Sequence, residues 1–225
     1  MYKLVSFSQI KENKRELIPE IAEGNIGLEY LLTYCVEQDV ETYSSCGDIH
    51  PYISFVVNEK TKNILYNLCS LLIKNTEVSE HISVKFGYIK KKNVCRISYY
   101  DNDNINIIQF FVIIVNYLKE ALNNEKNEIE LWENVNEVID FISKHGFDNY
   151  LEVVKVTNLD SKEDAYMYYL TVYSTDYRKA INFKSKFFSS IIQDYISRYY
   201  NDYSVGYHTD DVNTLLASKK LVRKK

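Results

Sequence analysis

Apolar residues recur at helical spacing over residues 12–21 and again over 26–36, where Leu28, Leu31, Leu32, Cys35 and Val36 fall on one face and Gly24 stands between the segments. This predicts two helices, the second amphipathic. After Asp39 the period changes to two: Val40, Thr42 and Ser44 oppose Glu41, Tyr43 and Ser45, and "YISFVV" after Pro51 is β-branched and aromatic. Two strands joined by "CGDIHP" are expected. Residues 60–74 return to a helical pattern with Ile64, Leu65, Leu68, Leu71 and Leu72 on the inner face. "HISVKFGYI" and "VCRISYY" then alternate as a hairpin around the basic turn "KKKN".

Residues 101–104 read as the cap of a helix from 105 to about 123, whose continuously apolar start makes it central to a core. A helix over 128–144 places Ile129, Trp132, Val135, Val138, Ile139 and Ile142 inward and stops at His145-Gly146. "YLEVVKV" and "AYMYYLTVY" flank "TNLDSKED" as a further hairpin, followed by a helix over 176–200 and a short helix over 210–218. The class is therefore α+β, with about six mostly antiparallel strands in hairpins and helices packed mainly on one face. The succession strand, strand, helix recurs around 40–75, 80–123 and 150–200, which suggests a duplicated unit without a residue-level repeat. No Pro-, Gly- or Ser-rich linker divides the chain, so 1–225 reads as one domain, and the charged "NNEKNE" at 123–128 is where a subdomain boundary would fall.

With 225 residues and 46% hydrophobic composition the chain can bury a substantial core. Lys and Arg number 27 against 31 Asp and Glu, a net charge of −4 that gives no global attraction for nucleic acid. The four cysteines form no CxxC pair and no signal-like segment precedes them, which points to reduced thiols and a cytoplasmic location. The longest apolar run, "IIQFFVIIV", is nine residues, against the roughly 20 that a membrane span requires. Twenty-one tyrosines with only 6 glycines and 2 prolines suit an AT-rich genome, such as that of a low-GC bacterium or its phage. The fingerprints GxGxxG, GxxxxGK[ST], HExxH and GxSxG are missing, as are paired Cys/His couplets, so the sequence does not decide between an enzyme and a binder.

The polar chemistry concentrates in "TYSSCGDIHPYISF". Ser44, Ser45, Cys46, Asp48 and His50 crowd a turn that Gly47 allows to reverse sharply, and hydroxyls with loop amides can hold a polar ligand. A thiol near an imidazole can also act as a nucleophile, although Cys46 and His50 have no third group, and as a metal site they are two ligands short unless His81, His145 or His208 joins them. The competing reading is structural: small residues, a cysteine and Gly-Asp-Pro simply make a tight connection. "KKK" at 90–92 and the basic 219–225 read as solvated, and the tyrosine-rich "YMYYLTVY" and "SRYYNDY" as cover for a half-buried sheet. Asp210 and Asp211 after His208 read as a helix cap.

This stretch resembles the Ser-Ser-Cys segment of the tRNA wybutosine-synthesizing protein 3 family, in which a strand ends in Thr-x-Ser-Ser-Cys-Ser-Gly-Arg-Ile and continues into another strand. Thr42, Ser44, Ser45, Cys46 and Gly47 occupy the matching positions, behind a helix at 26–36. The resemblance implies an S-adenosylmethionine cofactor, methylation of a modified guanosine in tRNA, and a cofactor or nucleoside pocket at these residues. It spans about fifteen of the 225 residues, the serine between cysteine and glycine is missing, and Asp48 stands where the family has arginine. The turn is also similar to T-x-x-S-C-x-G-H in bacterial and phage proteins of unassigned activity, a version that His50 suits. The leading expectation is an intracellular binding protein that holds a small polar or nucleotide-like ligand, or a protein partner, around Cys46. A phage or mobile-element protein that sequesters a signal nucleotide or blocks a host defence enzyme would have this acidic, motif-poor profile. The alternative is the methyltransferase activity that the resemblance implies. A self-associating protein using its tyrosine-rich strands stands third.

Overall fold

Helices at residues 7–12, 26–37 and 107–123 begin where a side chain satisfies a free amide. Asn25 caps the helix that follows it, its Oδ1 accepting the Leu28 amide at 3.0 Å. Asn106 and Gln109 cap reciprocally, each side chain accepting the other's backbone amide at 2.9 and 3.0 Å. In this computed structural model, residues 5–48, 50–79, 81–100, 106–123, 129–144, 146–157, 164–173, 200–206 and 217–223 are described. The helices are α1 (Phe7–Glu12), α2 (Lys14–Ala22), α3 (Ile26–Glu37), α4 (Lys62–Lys74), α5 (Thr76–Ser79), α6 (Ile107–Asn123) and α7 (Ile129–Lys144). The strands are β1 (Thr42–Cys46), β2 (Tyr52–Val56), β3 (Ile82–Ile89), β4 (Lys92–Tyr99), β5 (Asp148–Thr157), β6 (Asp164–Tyr173), β7 (Tyr200–Gly206) and β8 (Ala217–Arg223). The protein is α+β, and its paired strands are antiparallel.

The chain forms two compact units, one of residues 1–84 with 92–132, the other of 85–91 with 133–225. In the first, the strands run in the order β1–β2–β4, with the opening residues of β3 beyond β4. Ile53, Phe55, Cys95 and Ile97 alternate toward a core that also buries Leu28, Leu31 and Leu32 of α3 and Phe110, Phe111 and Ile114 of α6. Phe110 lies between Tyr99 and Phe111, with ring centroids 5.4 and 4.8 Å away. In the second unit the strands run β5–β6–β8–β7, and Val135, Ile139 and Ile142 of α7 are buried.

Several details depart from the expected pattern. On α4, Leu65, Leu68 and Leu72 are buried as predicted, but Ile64 and Leu71 are half-buried, and the stripe turns instead toward Cys69 and Ile73. The β3–β4 connection is shorter than "KKKN": Lys90 and Lys91 alone make it, at φ of 46° and 67°. Two consecutive positive φ values match the right-handed strand twist in a two-residue hairpin. The cap expected at 101–104 lies outside the described residues, and α6 is capped at Asn106 instead. The helix expected over 210–218 is corrected at its end, because Ala217 and Ser218 begin β8, which pairs with β6 on one side and β7 on the other. Those pairings also put Lys219 and Lys220 in a strand rather than a tail; partners on both sides outweigh a local composition that reads as solvated. The helix expected over 176–200 lies outside the described residues except for Tyr200, which opens β7. The expected boundary at 123–128 likewise lies outside them apart from Asn123, the last residue of α6.

Candidate functional site

Strand β1 does not keep the simple alternation of its sequence. Thr42 pairs with Phe55 but Ser44 pairs with Ser54, so two steps along β1 match one step along β2, and the extra residue is Tyr43. The bulge sets the faces of all that follows. Ser44 and Cys46 share a face with Ser54 and Tyr52, whereas Ser45 lies opposite the buried Ile53 on the core face. The five polar residues of the turn region are therefore divided: Ser44 and Cys46 on the outer face, Ser45 on the inner, and Asp48 and His50 exposed beyond the strand end.

The turn itself is fastened to the start of α3. Asn25 uses its oxygen to cap the helix and its Nδ2 to donate to the Gly47 carbonyl at 2.9 Å. Gly47 does not adopt a left-handed conformation. Its role is close approach, since a Cβ there would lie 3.1 Å from Asn25 Cβ and 3.2 Å from Leu28 Cδ2, and this replaces the sharp reversal expected of it. The two functions of Asn25 can be separated. Asn25→Asp keeps the cap but loses the donor, and is expected to cost about 1 kcal/mol in urea unfolding, with Asn25→Ala costing about 2. Equal stability of Asn25→Asp and the wild type would show that the tie to Gly47 contributes nothing.

Strand β4 brings in residues that the sequence did not single out. Ser54 pairs with Arg96, and Tyr52 with Ser98, so Ser44, Ser54 and Arg96 form one row across three strands and Cys46, Tyr52 and Ser98 form the next. Arg96 Nε donates to Ser54 Oγ at 2.9 Å, and the guanidinium carbon lies 4.3 Å from the centroid of the Tyr52 ring. Two contacts from different directions thus hold the side chain in place. Ser54 is fully buried, Arg96 half-buried, and Ser44 Oγ is buried without a hydrogen-bond partner. A buried hydroxyl left unbonded costs about 1–3 kcal/mol, and here it stands in the same row as a held guanidinium. The signal available in sequence was Arg96 and Ser98 alternating with Cys95, Ile97 and Tyr99, but which strand they face depends on register.

The thiols separate by burial. Burial pushes the Cys35 thiol well up from its ordinary value, and burial, then the hydrogen bond with Cys95, does the same for Cys69. Cys69 and Cys95 lie with Sγ atoms 3.4 Å apart in the core, both free. Cys46 is half-buried on the polar face. Ellman's reagent added to the folded protein should titrate Cys46 alone, the other three reacting only on unfolding. Rapid reaction of a second thiol would contradict the placement of the core cysteines.

Among the described residues no group of three or more His, Cys, Asp or Glu side chains is placed to hold a metal ion. Among those same residues no helix is long and apolar enough to cross a membrane. Fold and site together describe an α+β protein with a polar, arginine-bearing face on three antiparallel strands. No known family model, characterised protein or solved structure matches the chain.

Proposed function

We propose that the chain is a binding protein that takes a small polar, nucleotide-like ligand on the β1–β2–β4 face. The observation that carries this reading is the row Ser44–Ser54–Arg96, in which a held guanidinium and a buried, unbonded hydroxyl stand on one face of the sheet. Ligand sites place a few polar groups on a rigid scaffold in this manner. Buried free thiols at Cys35, Cys69 and Cys95 suit a reducing, cytoplasmic setting. Sequestering a signal nucleotide is the form of activity that the arrangement and the acidic, motif-poor sequence suit best. Thiol catalysis by Cys46 with His50 has less support, because one side chain lies on the strand face and the other on the exposed turn.

The test is thermal denaturation with ATP, AMP, cyclic AMP and S-adenosylmethionine in turn. A ligand at a hundred times its dissociation constant stabilises by about 2.7 kcal/mol, a shift of several degrees. At least one of the nucleotides should do so. Stabilisation by S-adenosylmethionine alone would favour the methyltransferase alternative, and no response to any of the four would overturn the binding proposal.

A further inference from the structure

We infer that the outer side of α3, with the start of α6, is a docking surface for a basic amphipathic helix of a partner protein. Among the described residues the exposed large apolar or aromatic side chains are Ile26, Tyr30, Tyr100 and Ile108, and three of these belong to this surface: Ile26 is 63%, Tyr30 43% and Ile108 41% exposed. Ile26 and Tyr30 stand one helical turn apart on α3. Ile108 joins them through Gly27, whose missing side chain lets the α6 backbone come so near that a Cβ would lie 2.6 Å from the Ile108 carbonyl oxygen. Further along α6, Lys119 donates to the Tyr30 hydroxyl at 2.7 Å and lies 5.3 and 5.4 Å from the Tyr30 and Tyr34 ring centroids, so Tyr30 is held before any partner arrives. Exposed apolar groups gathered around a tyrosine mark protein contact surfaces, and a side chain already held loses little freedom on binding. Two packed helices present the kind of groove into which a third lays its apolar face.

Charge decides the occupant. Helix α3 carries Glu29 and Glu37 and no lysine or arginine, and α6 carries Glu120 against the single Lys119, which Tyr30 already engages. Among the described residues none of these three carboxylates takes part in an ion pair. A cationic partner complements them, whereas a second copy of this chain would set the same carboxylates against each other, and a nucleic acid would be repelled. Both helices turn their other sides to the core face of the sheet, so the docking surface points away from the Ser44–Ser54–Arg96 row and does not depend on the ligand reading.

The experiment is fluorescence anisotropy of a labelled synthetic peptide, about 18 residues long so that it forms a helix in isolation, with leucine on one face and lysine on the other, titrated with the whole chain. Two control peptides are a glutamate version of the same pattern and a scrambled leucine and lysine sequence without an apolar face. The wild type should bind the patterned lysine peptide about tenfold more tightly than either control, and less tightly as salt is raised. Ile26→Ser and Tyr30→Ala should each weaken that binding about tenfold. Ile26→Ser should leave the melting temperature unchanged, because the side chain it removes is exposed, and so keeps the inference testable if Tyr30→Ala does not fold. The double variant Glu29→Lys with Glu37→Lys should turn the preference toward the glutamate peptide, which a surface that binds by apolar contact alone would not do. Equal binding of the patterned and scrambled peptides, unchanged affinity in Ile26→Ser and Tyr30→Ala, or no binding by the wild type would overturn the inference. A dimer in light scattering that Ile26→Ser dissociates would overturn it too, by showing a second copy of the chain on this surface.

Discussion

Phe110→Ala should lower the stability of the unit that carries the site by about 3–5 kcal/mol, read as a shift in the midpoint of urea unfolding. The ring is essentially fully buried on α6 and touches two others, Tyr99 on β4 at 5.4 Å and Phe111 at 4.8 Å. Its removal therefore forfeits the transfer energy of a large side chain, leaves a cavity between helix and sheet, and breaks two tilted aromatic contacts that each add about 0.5–1.5 kcal/mol beyond burial. Phe110→Leu refills most of the space and should cost no more than about 1.5 kcal/mol. A loss below about 1 kcal/mol for the alanine variant would mean that α6 does not pack on β4 in this way. The site depends on that packing, because Arg96 projects from the opposite face of the strand that carries Tyr99.

The second large effect is expected at Gly27. Its position on α3 faces the first turn of α6 so closely that an added Cβ would sit 2.6 Å from the Ile108 carbonyl oxygen and 3.0 Å from the Ile108 Cα. Ordinary contact begins near 3.4 Å, and the atoms in the way are backbone, so α6 must retreat by several tenths of an ångström. Overpacking of this kind costs about 1–3 kcal/mol. The better helix propensity of alanine offsets at most about 1 kcal/mol of that. Gly27→Ala is therefore expected to destabilise, contrary to what an alanine in a helix ordinarily does. Because Asn25 lies two residues away and holds the Gly47 carbonyl, the same variant should also raise amide hydrogen exchange in the turn after β1. A stabilised Gly27→Ala protein would contradict the α3–α6 contact.

Much of this fold could be read from periodicity because the signal is local. The stripes of α3 and α6, the alternation in β2 and β4, and the break at Gly146 each depend on residues within a turn or two of one another. What could not be read depends on partners distant in sequence. The bulge at Tyr43 leaves the composition of β1 unchanged yet reverses which of its serines face the core, so Ser44 and Ser45 exchange the roles that simple alternation would give them. Gly47 looks like a turn glycine and acts as a packing glycine, since the atoms that require it belong to Asn25 and Leu28. Arg96 does not stand out in the sequence because a single arginine in an alternating strand looks like a solvated position, and only the pairing of β4 with β2 puts it against Ser54 and Tyr52. At the other end of the chain, lysines that read as a solvated tail lie in β8 because β6 and β7 supply pairing on both sides.

The candidate site was thus half legible. "TYSSCGDIHPYISF" spans β1 and β2, but the groups that share one face are Ser44 and Cys46 with Tyr52, Ser54, Arg96 and Ser98, and the turn residues Asp48 and His50 stand apart from it.

The most direct measurement is two-dimensional amide NMR of the labelled protein titrated with the nucleotide that stabilises it most. Binding on the polar face predicts that the largest shift changes fall on residues 42–46, 52–56 and 94–99, with the Arg96 Nε–H signal moving alongside them. Changes concentrated instead on α7 or on β5 to β8, or a spectrum that does not respond, would contradict it.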